Sequence, residues 1–157
     1  MTNMELLVCK LIEKKKTISS MESCTGGAFV NEITNISGAS KVLKFSAVTY
    51  SNEFKIKMGV SEEIIDKYSV YSMDTACDMS KKISDFTGSS YGIGITGKIN
   101  VLDTNNIYGS NNIVYVSVYD RDNYKCYTLS IDMMNDSRAE NKDFIVESIV
   151  KLLLTLV

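Results

Sequence analysis

The chain has 157 residues, 45% hydrophobic and 23% charged, with a formal net charge of −2. That size and balance suit a single domain, expected over 1–157, with a full hydrophobic core. The charge argues against a general nucleic-acid or anionic-membrane binder. Histidine is absent, which removes the usual general base and the commonest metal ligand. Acid–base chemistry must then use Lys, Tyr, Asp, Glu or Cys. Cys9, Cys24, Cys77 and Cys126 are far apart, with no C-x-x-C pair, so reduced thiols are expected rather than a zinc site. No apolar run approaches the roughly 18 residues of a membrane span, and no signal-peptide pattern precedes Glu5. The expected setting is cytoplasmic.

Helical spacing of Met4, Leu7, Val8 and Leu11 predicts a first helix over Met4 to Lys15. A short strand, Thr17 to Met21, leads into Met21 to Gly27, which reads MESCTGG, and a second helix is expected over Thr25 to Asn35. After the turn Ser37-Gly38-Ala39-Ser40, Phe45 to Tyr50 is rich in β-formers and reads as a strand. Asn52 to Met58 gives one or two helical turns, Ser61-Glu62-Glu63 starts a further helix, and Ser72 to Phe86 is a clear helix ended by Gly88. Tyr91 to Thr96 is a strand of small residues, followed by a long polar stretch from Gly97 to Asn112. Ile113 to Tyr119 and Tyr124 to Ile131 alternate and form a hairpin, and Ser137 to Val157 closes the chain as a long apolar helix. The order predicts a three-layer α/β/α sandwich on a mixed, mostly parallel sheet of about five strands. Apolar residues on more than one face of the last helix suggest a homo-oligomer.

Sites in such sheets form at the carboxyl ends of parallel strands. Three ends can be read: Ser23, Cys24 and Thr25; Tyr50, Ser51 and Asn52, with Lys55 one turn on; and Thr96, Gly97 and Lys98. Together they offer a hydroxyl nucleophile, a lysine and a phenol. A free lysine, with a pKa of about 10.4, is protonated at neutral pH, so Lys55 could act as a base only if partly buried. Tyr50 could relay a proton or orient it. Backbone N–H groups around Thr25, Gly26 and Gly27 could supply an oxyanion hole or an anion site at a helix N-terminus. Each feature also has an ordinary explanation: Ser and Thr cap helices, Gly relieves tight turns, and lysines are usually solvated. Without a histidine base, Cys24 ranks below Ser23 as a nucleophile.

MESCTGG and AVTYSNEFKIKMGV, Ala47 to Val60, resemble the CinA C-terminal domain family, the nicotinamide-nucleotide amidohydrolases. The family pattern is A-E-S-C-T-G-G, then V-T-Y-S-N-E-x-K-x-x-x-L-G-V about twenty-five residues later. Ser37 to Ser40 sits where the family has P-G-A-S, and Ser137-Arg138 with Lys142 resembles its [GN]-[DN]-R-x-x-[NI]-[RK] segment. The resemblance implies an α/β/α fold and cofactor-free hydrolysis of the carboxamide of nicotinamide mononucleotide. It implies Ser23 as nucleophile, Lys55 as its base and Tyr50 as an assistant. Thr25, Gly26, Gly27, Asn52, Thr96, Gly97, Arg138 and Lys142 are the expected substrate contacts. One departure stands out: the family's T-G-I-A-G-P is replaced by Thr96-Gly97-Lys98-Ile99-Asn100 and then VLDTNN. That change leaves open a second reading, a nucleotide-binding protein of the same fold without turnover. A third, an interaction module, rests only on the family's historical name. The partner expected in the first two is a small-molecule nucleotide, with no nucleic acid and no membrane.

Overall fold

Serine and threonine set the helix starts in a chain with no proline. The computed structural model describes residues 1–100 and 112–157. Thr2 and Glu5 form a capping box on α1, Asn3–Glu13. Ser51, Ser61, Ser72 and Ser137 accept from backbone N–H groups at the starts of α3 (Asn52–Lys57), α4 (Glu62–Tyr68), α5 (Met73–Thr87) and α6 (Arg138–Leu156). Gly88, left-handed at φ +71°, ends α5.

The sheet has five strands in the order β2-β1-β3-β4-β5. They are β1 (Ile18–Glu22), β2 (Leu43–Val48), β3 (Tyr91–Gly97), β4 (Ile113–Asp120) and β5 (Lys125–Asp132). β1 pairs in parallel with both β2 and β3, while β4 runs antiparallel to β3 and β5 antiparallel to β4. The mixed sheet and its layers therefore match the expected architecture. On one face, α1, α2 (Ala28–Thr34) and α6 enclose the larger core, built from Leu7, Leu11, Phe29, Ile33, Ile93, Ile95, Val116, Ile145 and Ile149. On the other, α4 and α5 cover a smaller cluster of Met21, Val60, Ile65, Met79 and Ile83. Among the described residues, no helix is long and apolar enough to cross a membrane.

The small residues of β3 set how closely α5 can lie. A Cβ on Gly92 would stand 2.1 Å from the Ser80 carbonyl oxygen, and one on Gly94 would stand 2.3 Å from that of Ala76. Only hydrogen fits at these positions, so α5 packs its backbone directly against the central strand.

Several boundaries differ from the sequence reading. The second helix starts at Ala28 rather than Thr25, because Gly26 and Gly27 take φ of +61° and +99°. The second strand runs Leu43–Val48 rather than Phe45 to Tyr50. As an edge strand with Phe45 and Val48 exposed, it lacks the buried alternation that would have fixed its limits. The polar stretch expected from Gly97 to Asn112 falls largely outside the described residues: Gly97 ends β3, and 101–111 are not described.

Candidate active site

At the carboxyl end of β1 the chain breaks from the sheet into a tight turn. The Ser23 N–H still donates to the Ile95 carbonyl at 3.0 Å, and the Ser23 carbonyl accepts from the Gly26 N–H at 3.0 Å. Glu22, fully buried, anchors the turn from beneath. Its carboxylate accepts from the Thr25 hydroxyl (2.7 Å), the Phe29 N–H (3.1 Å), the Val30 N–H (3.0 Å) and the Ser20 hydroxyl (3.3 Å). The carboxylate thus takes up the amides of Phe29 and Val30 in the first turn of α2, which are not the Thr25 to Gly27 amides named in the sequence reading. The Gly26 N–H is likewise spent within the turn. The N–H groups of Thr25 and Gly27 have no protein acceptor among the described residues, so they remain as candidate oxyanion donors.

Lys55 comes from α3, which Ser51 caps through the Phe54 N–H at 3.2 Å. It is 1% exposed. Its Nζ donates to the Thr49 carbonyl at 2.7 Å and to Ser23 Oγ at 3.0 Å. It forms no ion pair among the described residues. Burial lowers its pKa from 10.5 to about 8, and the neighbouring Cys24 opposes that shift. An amine with this poise next to a serine hydroxyl can accept its proton near neutral pH. Cys24 lies beside Ser23 but is poorly suited to attack, since burial pushes its thiol up to about 12.

A cavity of about 190 Å³ opens over the pair. Ser23, Tyr50, Asn52, Lys55, Thr96, Gly97 and Arg138 all line it, so three strand ends and the start of α6 meet there. Tyr50 is 64% exposed, and no hydrogen bond links it to Ser23 or Lys55. Thr96 donates to the Val70 carbonyl at 2.9 Å, which holds Val70 and Tyr71 at the cavity wall. Gly97, at φ +153°, leaves room for Ile113, whose carbonyl oxygen would lie 2.4 Å from a Cβ there. The other predicted contacts separate from this group. Thr25, Gly26, Gly27 and Lys142 line a neighbouring groove of about 610 Å³ on the far side of the turn, and Lys142 Nζ would lie 3.7 Å from a Cβ on Gly26.

Sequence reasoning missed three contributors. Glu22 had a signal, since a glutamate inside a fully buried strand must find several donors. Thr49 supplies the carbonyl that holds Lys55, a backbone role that no side-chain pattern announces. Asn141, fully buried, accepts from the Asn135 N–H and side chain and donates to Asn100 Oδ1 and the Asn135 carbonyl. It joins the segment after β3 to the start of α6. Lys98 also lines the cavity, with its ammonium 4.8 Å from the Tyr71 ring centroid.

Known proteins of similar sequence and shape carry CinA or competence/damage-inducible names. A Clostridium acetobutylicum protein whose name refers to competence-damage induction is 43% identical over 94 residues, covering 59% of this chain and 23% of that protein. A CinA-like protein of Kosmotoga olearia is 40% identical over 97 residues, covering 60% and 24%. The matched stretches thus span less than a quarter of those relatives' lengths. The crystal structure of the competence/damage inducible protein CihA from Agrobacterium tumefaciens superposes with a TM-score of 0.86 at 24% identity, over 99% of this chain and 96% of that one. A CinA superfamily protein from Escherichia coli gives a TM-score of 0.89 at 21% identity, over 99% and 88%. At those identities the superpositions establish the fold alone. The family profile of the CinA C-terminal domain matches residues 2–157, and the chain belongs to that family.

Proposed function

We propose that the chain is an amidohydrolase that converts the carboxamide of nicotinamide mononucleotide to the carboxylate and ammonia. The observation that carries this reading is Lys55: buried, without an ion pair among the described residues, its pKa lowered to about 8, and 3.0 Å from Ser23 Oγ. In its neutral form the amine takes the Ser23 proton as Oγ attacks the carbonyl carbon. N–H groups of the Cys24–Gly27 turn stabilise the oxyanion. The resulting Lys55 ammonium returns the proton to the amide nitrogen as its bond to carbon breaks, so that it leaves as ammonia. Water then attacks the acyl-serine, with Lys55 again as base, and releases the carboxylate.

The 190 Å³ cavity is smaller than the roughly 300–1,000 Å³ of typical small-molecule sites, so it suits the reacting ring and not a whole nucleotide. Lys98 and Arg138 at its wall, and Lys142 in the adjoining groove, bring positive charge that favours an anionic ligand. Ammonia release from nicotinamide mononucleotide by the wild type and by Ser23→Ala tests the reading. Turnover by the wild type, lost in the variant, supports it. A folded wild type that releases no ammonia, or a fully active variant, refutes it.

A further inference from the structure

The side of the sheet covered by α5 holds a second group of reactive side chains. Tyr127 and Leu129 of β5 pack on the larger core, so alternation turns Cys126 to the α5 side. Ser117 of β4 faces the same way, and its hydroxyl lies 2.8 Å from that of Ser80 on α5. Cys77 precedes Ser80 by one turn. Cys77 and Cys126 are both half-buried free thiols, and they interact with each other and with Ser117. Neither lines the Ser23 cavity. A separate cavity of about 250 Å³ reaches Cys77 between Ile64, Tyr68, Met73, Asp78 and Lys81.

The environment differentiates the two sulfurs. Hydrogen bonding from Cys77 holds Cys126 below the ordinary thiol range against the opposing effect of burial, with further help from Ser117 and Lys81. The same contact, and then burial, hold Cys77 above that range. One sulfur is thus the better nucleophile and the other the natural resolving partner.

We propose that Cys77 and Cys126 form a thiol–disulfide exchange site that takes small-molecule disulfides. The Cys126 thiolate attacks one sulfur of the disulfide RSSR, whose S–S bond breaks, giving Cys126–S–S–R and RS⁻. Cys77 loses its proton to the departing RS⁻ and attacks Cys126 Sγ, and the second RS⁻ leaves to be protonated from solvent. Both protein thiols are oxidised to one disulfide, and RSSR is reduced to two thiols.

The test incubates the full reduced chain, wild type and Cys9→Ser, with excess oxidised glutathione under native conditions. Free thiols are then counted in denaturant and the linked peptides mapped by mass. In the wild type, Cys77 and Cys126 are expected to be joined in an intramolecular bond while exposed Cys9 takes up one glutathione, so that three of the four thiols are lost. The Cys9→Ser variant, which lacks the exposed thiol, is expected to form the same bond. Cys77→Ser combined with Cys9→Ser, shown folded by circular dichroism, is expected to stop at one glutathione on Cys126. Persistence of Cys77 and Cys126 as free thiols in both proteins overturns the proposal, as does pairing through Cys9 or Cys24.

Discussion

Replacing Lys55 with methionine tests whether the buried amine is held in the state that catalysis needs. The substitution keeps the length of the stem and removes the charge. Two effects on stability oppose each other. Loss of the Nζ hydrogen bond leaves the Thr49 carbonyl without its donor, at a cost of roughly 1–3 kcal/mol. Relief of the buried ammonium acts the other way. Lowering the pKa from 10.5 unfolded to about 8 folded corresponds to about 3 kcal/mol of destabilisation in the wild type below pH 8. The unfolded chain binds more protons between those two values, so wild-type stability rises as pH rises from about 8 to 10.5. The hydrogen-bond loss does not vary with pH in this way, so the difference in slope isolates the charge. Urea unfolding of both proteins at pH 7 and pH 9 is expected to show the variant's relative stability falling by roughly 1 kcal/mol across that interval. Turnover is expected to fall by roughly 10²–10⁴-fold. Parallel stability curves for the two proteins would show that Lys55 keeps an ordinary pKa, and the proposed general base would be lost with it.

Wild-type turnover of nicotinamide mononucleotide is expected to rise through about pH 8 as Lys55 loses its proton, and a rate independent of pH from 6.5 to 9.5 would contradict the assignment. Glu22→Gln turns one of the two acceptor oxygens into a donor that faces the N–H of either Phe29 or Val30. It is expected to lower stability by roughly 3 kcal/mol and to impair turnover by disturbing the Ser23 turn, both measurable on one preparation. Thr49→Val is expected to raise stability by about 1 kcal/mol in urea, because the buried Thr49 hydroxyl has no hydrogen-bond partner among the described residues. A loss of similar size would mean that the hydroxyl has a partner. Gly94→Ala places a methyl group against the Ala76 carbonyl and is expected to cost roughly 3 kcal/mol, read as a lower thermal midpoint.

What the sequence made legible follows from how local each signal is. Helical spacing located α1, an apolar run α6, and spacing after the Ser72 start α5, because each signal belongs to the segment itself. The alternation of β4 and β5 marked the hairpin for the same reason. Ser23 and Lys55 could be paired because two motifs each sit at a strand end, and parallel pairing of β1 with β2 brings those ends together. The limits of β2 were illegible, since an exposed edge strand carries no buried face to read. The role of Glu22 depends on amides seven and eight residues ahead, which become donors only once Gly26 and Gly27 have turned the chain. Division of the expected substrate contacts between two cavities depends on the side of the turn each residue faces, which spacing does not encode.

Asn141 ties together segments that lie far apart in the chain. It fastens Asn100, and the Met133 N–H bonds the Asn112 carbonyl at 3.0 Å, so the chain on both sides of 101–111 is tied to the segment leading into α6. Those ties use an asparagine side chain and a backbone carbonyl. The same asparagine holds Asn135 through both its N–H and its carbonyl, so losing that side chain would loosen the entry to α6, where Arg138 meets the Ser23 cavity.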